Sequence, residues 1–273
     1  MITYNNGEKT FGQRLFSAVK LANDTHTQTG DGIALFACMA DRLVFDNITF
    51  VSSGKGNWNI GVELRGCTNV QFHNCTFRGF TTGVRLCAHA GYDPNGRFFD
   101  QLGNSPVGCC DVVVNNCRFI DCGTGIILKP GGSRNVEIRR NLITGYKAYG
   151  VSGEGEQGYT SRVTIADNII SGGNPVGRSY GIYVGENVYD VTVIGNSVGN
   201  TSLTGACICV STSPSQGDTP VYDVSVIKNI CKRISWAPGD TNIVRAINRD
   251  NICDFNGIEY VDKTKTKGKV IWS

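Results

Sequence analysis

Between Thr68 and Leu86 apolar and polar side chains alternate in three short bursts separated by breaks. Val70 and Phe72 alternate with Gln71 and His73, the two-residue period of a strand with one buried face. Asn74-Cys75 interrupts the alternation, Phe77 resumes it, Gly79 and Gly83 mark turns, and Val84 with Leu86 form a last alternating pair. Three short strands in about twenty residues, with no helix between them, predict one coil of a solenoid.

The pattern recurs in register. Its first inward pair is Leu43/Phe45, then Val70/Phe72, Val112/Val114, Val136/Ile138, Val163/Ile165, Val191/Val193 and Val224/Val226. Three positions later comes a corner residue: Ile48, Cys75, Cys117, Asn141, Asn168, Asn196 and Asn229. Two further on comes an apolar residue, from Phe50 and Phe77 to Val198 and Cys231. A Gly-apolar-x-apolar strand usually closes the coil, as in Gly83-Val84-Arg85-Leu86, Gly125-Ile126-Ile127-Leu128 and Gly181-Ile182-Tyr183-Val184. Corner-to-corner steps of 27, 42, 24, 27, 28 and 33 residues put the excess length into loops. One coil cannot bury its apolar face alone, whereas stacked coils share a core and pair each strand above and below. An Asn corner suits this, because Asn tolerates a left-handed backbone and its amide can bond the same residue of the next coil. A β-sandwich or barrel of short strands is the alternative, but it does not require one corner residue at a constant offset.

The pattern V-x-I-x-x-N-x-I followed by G-I-x-V, over roughly Gly32 to Asn248, resembles right-handed parallel β-helix proteins of the pectate-lyase-like group. That group includes pectate lyases, polygalacturonases, alginate epimerases and bacteriophage tailspikes. The resemblance implies an all-β, single-stranded right-handed solenoid, here of about seven to eight coils at ~4.8 Å per coil. It implies little about activity, since the matching residues are structural and no catalytic motif of the family can be carried over onto this sequence residue by residue.

Thr10 to Asn23 reads as a helix. Thr10 and Gln13 have capping-box spacing, and Phe11, Leu15, Val19 and Ala22 fall on one face. A solenoid needs its open end covered, so residues 1–31 are expected to be a leader and capping helix, 32–250 the β-helix, and 251–273 its C-terminal end or cap.

Composition changes this picture little. The 273 residues carry a net charge of +3, and their Lys and Arg are dispersed, which argues against a nucleic-acid partner. No apolar run approaches the roughly 18 residues that span a membrane, and no signal segment opens the chain. Twelve cysteines lack the C-x-x-C spacing of a zinc site, and no His, Cys or carboxylate group stands at ligand spacing, so neither metal nor cofactor is expected. Cys75 and Cys117 hold corner positions, where Cys serves as a small buried hydrophobe. Adjacent coils lie within reach of a disulfide, but reduced thiols are expected.

The strand register fixes what faces outward. Flanking outward residues of the closing strands are Glu63, Arg85, Ile127, Ser152, Tyr183 and Cys209; two residues further come Arg65, Cys87, Lys129, Glu154, Gly185 and Ser211. Arg65, Arg85, Lys129, Glu154, Tyr183 and the nearby Glu186 should therefore share one face. The insertion from Cys87 to Cys110, bearing His89, Tyr92, Asp93 and Asp100, would overhang it, and the loops 153–161 and 211–221 lie in the same column. This is a long, polar, aromatic-bearing groove of the kind an extended glycan needs. Glu154 and Glu186, one coil apart, are candidate catalytic carboxylates for glycoside hydrolysis. Arg65, Arg85, Lys129, Tyr183, Tyr92 and Asp93 are candidate substrate contacts, and Arg85, Lys129 and Tyr183 would serve a β-elimination instead. A simply solvated charged face remains the bland alternative.

Three functions compete. The first is a tailspike-like β-helix that binds and cuts a bacterial surface polysaccharide as a glycosidase or lyase. The second is a non-catalytic receptor-binding or structural module of a virion or adhesin. The third is a bacterial pectate-lyase-like enzyme or sugar epimerase. The resemblance to tailspikes implies a homotrimer, located on a virion or otherwise outside the cell.

Overall fold

The inward pairs stack upon one another. Leu43 pairs with Val70, Val70 with Val112, Val112 with Val136, and so on through Val163, Val191 and Val224. In the computed structural model these strands form sheet B, with ten strands from Val19–Ala22 to Val270–Trp272. The short strands after the corner form sheet C, eight strands between Thr25–Gln28 and Ile230–Cys231. The closing strands form sheet A, whose ten strands run parallel except Ile2–Tyr4, added antiparallel beside Gly32–Cys38. Three parallel sheets thus wind as a right-handed solenoid, all β among the described residues. Those residues are 2–4, 19–38, 40–53, 58–88, 91–92, 98–99, 108–129, 131–155, 159–212, 220–238, 241–258 and 269–273, with only the backbone of 2–4, 19, 91–92 and 98–99.

The ends depart from expectation. Positions 10–18 of the expected capping helix lie outside the described residues, but its last turn is a strand: Val19 pairs with Leu43 and Leu21 with Phe45. Asp41–Asp46 offers an edge of unpaired N–H and C=O groups, and satisfying them outweighs the weak propensity of a short helix. At the other end Phe255–Ile258 and Val270–Trp272 join sheets A and B. Sheet B therefore has ten strands where seven to eight coils are expected, because backbone pairing continues past the residues that carry the full repeat.

The core is continuous. Phe45 stacks on Phe72 at 4.6 Å, and Phe50, Phe77 and Phe119 form a column at 5.0 and 4.9 Å. Further along, Val and Ile fill the same positions, all buried. Five coils, at Gly61, Gly83, Gly125, Gly150 and Gly181, close through a glycine because nothing larger fits there: a Cβ on Gly83 would stand 2.6 Å from both Gly125 O and a Phe119 ring carbon.

The corner ladder exists. Asn141 Nδ2 donates to Asn168 Oδ1 at 3.0 Å, Asn168 to Asn196 at 2.9 Å, Asn196 to Asn229 at 3.0 Å and Asn229 to Asn251 at 3.0 Å. The left-handed backbone, however, belongs to the residue before it. Arg140, Asp167, Lys228 and Asp250 have φ of 52–59°, and the turn they make aims the Asn side chain inward. Cys75 and Cys117, at the same corner, are fully buried.

Candidate functional site

The outward face of sheet A has the register the alternation implies. Phe36, Glu63, Arg85, Ile127, Ser152, Tyr183, Cys209 and Ser235 follow one another strand by strand. Arg65 pairs with Cys87, and Glu154 with Gly185 and through it Ser211, in the second row.

This face divides into two linked clusters. In the first, Glu63 is fully buried although it points away from the core. Arg65 Nε donates to its Oε1 at 2.5 Å, and Arg85 NH1 lies 3.6 Å from its Oε2. The Arg65 guanidinium also lies over the Phe36 ring, 5.3 Å from its centroid. An isolated buried carboxylate would be costly, and two cations and an aromatic wall offset that cost. Arg85 Nε then donates to the Lys129 carbonyl at 3.1 Å, joining this cluster to the next.

In the second cluster, Lys129 Nζ stands 2.7 Å from Glu154 Oε2, and the Ser152 hydroxyl donates to Glu154 Oε1. Glu154 is 3% exposed and Glu186 5%. Glu186 follows Gly185, the register partner of Glu154, and its backbone is left-handed at φ 57°. Its carbonyl accepts from Gly155 N, which holds the two coils together at this point.

Three tyrosines flank these carboxylates. Tyr149 and Tyr180 stack at 6.0 Å, and Tyr183 lies 5.6 and 5.3 Å from them. Tyr183 packs with Ala206, Cys209 and Ala237 in an apolar patch separate from the main core. Burial, with the negative charge of Glu154 and Glu186 nearby, raises Tyr183 well above the ordinary phenol value. Tyr149 is raised by the same causes. Both phenols stay protonated as hydrogen-bond donors beside the carboxylates.

Arg65, Arg85, Lys129, Glu154, Tyr183 and Glu186 therefore lie on one face, in two groups and not as one even row. Glu154 and Glu186 are neighbours of adjacent coils. Tyr92 is in a two-stranded hairpin, Gly91–Tyr92 with Phe98–Phe99, described by its backbone alone. Asp93, His89 and Asp100 lie outside the described residues. Tyr149 and Tyr180 escaped the sequence argument, although each immediately precedes a closing-strand glycine, and that shared offset was a usable signal. The burial of Glu63 had no local signal, since it depends on partners from other coils. Among the described residues no group of three His, Cys, Asp or Glu is placed to hold a metal.

The family model described as right handed beta helix region matches residues 2–160 and 108–230. The chain belongs to the right-handed β-helix family. No curated protein sequence matches this β-helix. Solved structures similar to it include PfbA, a surface adhesin of Streptococcus pneumoniae, at 13% identity and TM-score 0.44, covering 84% of this chain and 65% of that one. A mutant of the periplasmic alginate epimerase AlgG is similar at 10% identity and TM-score 0.45, with 87% and 69% covered. The tailspike protein of Acinetobacter baumannii phage AM24 is similar at 14% identity and TM-score 0.37, with 84% and 40% covered. The β-helix thus spans less than two thirds of the adhesin and of the tailspike.

Proposed function

We propose that the outward face of sheet A binds an extended bacterial surface polysaccharide and cleaves it in the manner of a tailspike depolymerase, with Glu154 and Glu186 as the catalytic carboxylates. The observation that carries this is the second cluster: two carboxylates on adjacent coils, one gripped by Lys129 and Ser152, beside three clustered tyrosines. Rings supply apolar surface for sugar faces, and protonated phenols supply donors for sugar hydroxyls. Lys129 and Ser152 fix the Glu154 carboxylate as an acceptor, suited to draw a proton from water or to stabilise a developing positive charge. Glu186 then donates to the leaving oxygen. Arg65 and Arg85 extend the binding face toward the N-terminal coils, and Tyr92 and Asp93 of the long insertion are further candidate contacts.

A binding-only role is the second reading. The low exposure of Glu154 and Glu186 favours it, because a carboxylate held by its own neighbours also serves as a rigid wall. A homotrimer on a virion or cell surface accords with either role. Outward Ile169 and Ile230 of sheet C, with Ile252 bridged to Ile230, are 58%, 55% and 68% exposed and supply apolar surface, interrupted by Ser197, for a subunit contact.

Reducing-end release from a panel of bacterial surface polysaccharides, with binding measured in parallel, separates the two readings. Glu154→Gln and Glu186→Gln should each lower cleavage by about 10²–10⁴-fold with binding kept. Arg85→Ala should weaken binding. Cleavage by neither wild type nor variants, with binding lost in Arg85→Ala, supports binding alone. Wild-type cleavage in both Gln variants removes these carboxylates from the mechanism.

A further inference from the structure

A second concave surface lies on a different side of the solenoid. The outward face of sheet B carries an open groove of about 570 Å³ crossing five strands. Its floor is the outward row Gln71, Val113, Glu137, Thr164 and Thr192, in strand-to-strand register. Its wall is a column of left-handed residues, one per coil, among them Asp111, Asn135, Arg162 and Asp190 at φ of 52–57°. The left-handed turn lifts each of these side chains beside the floor.

The two halves of the groove differ. Toward the N-terminal coils the polar groups satisfy one another. Asn135 Nδ2 donates to Asp111 Oδ1 at 2.8 Å, Asn69 Nδ2 to Asp41 Oδ1 at 2.7 Å, and Glu137 pairs with Arg139 at 3.1 Å. Toward the C-terminal coils, Arg162, Thr164, Asp190 and Thr192 make no side-chain hydrogen bond or ion pair among the described residues. Beside that half, outside the groove's own lining, lies aromatic surface. Tyr189, directly before Asp190, is 39% exposed, and Tyr159 is 61% exposed with its ring edge-on to Tyr189 at 6.1 Å. Tyr222 follows Tyr189 in register on the next coil.

We infer that this half-groove is a binding site for a neutral oligosaccharide, stacked on Tyr189 and Tyr159 and hydrogen-bonded by Arg162, Thr164, Asp190 and Thr192. Exposed rings beside unpaired donors and acceptors suit a ligand with apolar faces and hydroxyl edges. The two strands of this half lie about 5 Å apart, room for one sugar unit, and the rest of an oligosaccharide runs along the groove, whose five strands span about 19 Å. Asp111, Glu137 and Asp190 outnumber Arg162, which disfavours uronate-rich chains and nucleic acid. A peptide finds no purchase, since the strands pair on both sides and the floor offers one apolar residue, Val113. The site does not depend on the sheet A proposal and shares no residue with it.

The test is saturation-transfer NMR on the full chain with maltohexaose, cellohexaose and chitohexaose, and an alginate hexamer as the anionic control. At least one neutral hexasaccharide should bind. Tyr189→Ala and Arg162→Ala should each weaken it about tenfold or more, Tyr189→Phe should keep it, and Arg118→Ala on sheet C should leave it unchanged. Melting curves of the variants confirm that they fold. No neutral sugar bound at millimolar concentration, binding kept in both Tyr189→Ala and Arg162→Ala, binding lost in Arg118→Ala, or equal binding of the alginate hexamer would each overturn the inference.

Discussion

The N-terminal and C-terminal halves of this β-helix solve the same corner in two ways. In the first half the dipeptides are Asn47-Ile48, Asn74-Cys75 and Asn116-Cys117; in the second they are Arg140-Asn141, Asp167-Asn168 and Lys228-Asn229. Asn therefore moves by one position. In the first half it takes the left-handed site and pairs outside, Asn47 with Asn23 at 2.8 Å and Asn116 with Asn74 at 2.7 Å. In the second it takes the buried site and forms the internal ladder. The core changes with it. Stacked phenylalanines fill the first half beside apolar Ile and Cys corners, and smaller Val and Ile fill the second beside polar ones. The difference teaches that a solenoid holds its coils in register either by side-chain shape or by a chain of hydrogen bonds. The second half, where amides do this work, is also where the tyrosine-flanked carboxylates lie.

The largest expected effect tests the aromatic half. Phe77 is fully buried between Phe50 and Phe119 and edge-on to Phe72, so Phe77→Ala should cost about 3–5 kcal/mol in denaturant unfolding. A cost below that of Asn168→Ala would reverse the comparison. Asn168→Ala removes the acceptor for Asn141 and the donor to Asn196 and to Ile138 O. The cost is about 1–3 kcal/mol, and hydrogen exchange should rise in the coils on either side.

Alkaline pH discriminates the halves next. Burial pushes the thiols of Cys67 and Cys122 up to about 11 and that of Cys87 up to about 12, from an ordinary 9.0. In the unfolded chain they ionise first, so stability is full below about pH 9 and falls as pH rises toward the folded values. Each contributes about 1.4 kcal/mol per pH unit across that window. These three thiols lie in the first half, so their replacement by Ala or Ser should flatten the alkaline limb of Tm against pH. An unchanged limb would remove them as its cause. The smallest effect sharpens the comparison directly. Cys117 N already donates to Asn141 Oδ1 at 2.9 Å, so Cys117→Asn extends the ladder by one rung and should shift stability by less than about 1 kcal/mol. A loss above about 2 kcal/mol would show that the aromatic stack and the amide ladder exclude each other.

Much of this was legible in local periodicity. Alternation of period two decides which side of a strand a residue takes, so Val70/Phe72 and their repeats named sheet B, and Arg85, Ser152 and Tyr183 were correctly placed outward on sheet A. The glycine before each closing strand marked the tight coil closure that Gly83 makes. A recurring corner offset predicted the Asn ladder, though not that its left-handed turn sits one residue earlier.

What the tertiary structure alone decided is how far outward residues are covered and by whom. Glu63 points away from the core and is buried, because Arg65, Arg85 and Phe36 come to it from neighbouring positions and coils. Val19–Ala22 became a strand because an edge was there to pair with. The groove on sheet B exists because left-handed residues from five coils stack into a wall. Periodicity is a property of one segment, whereas burial, charge pairing and concavity are sums over segments that meet only when the coils stack.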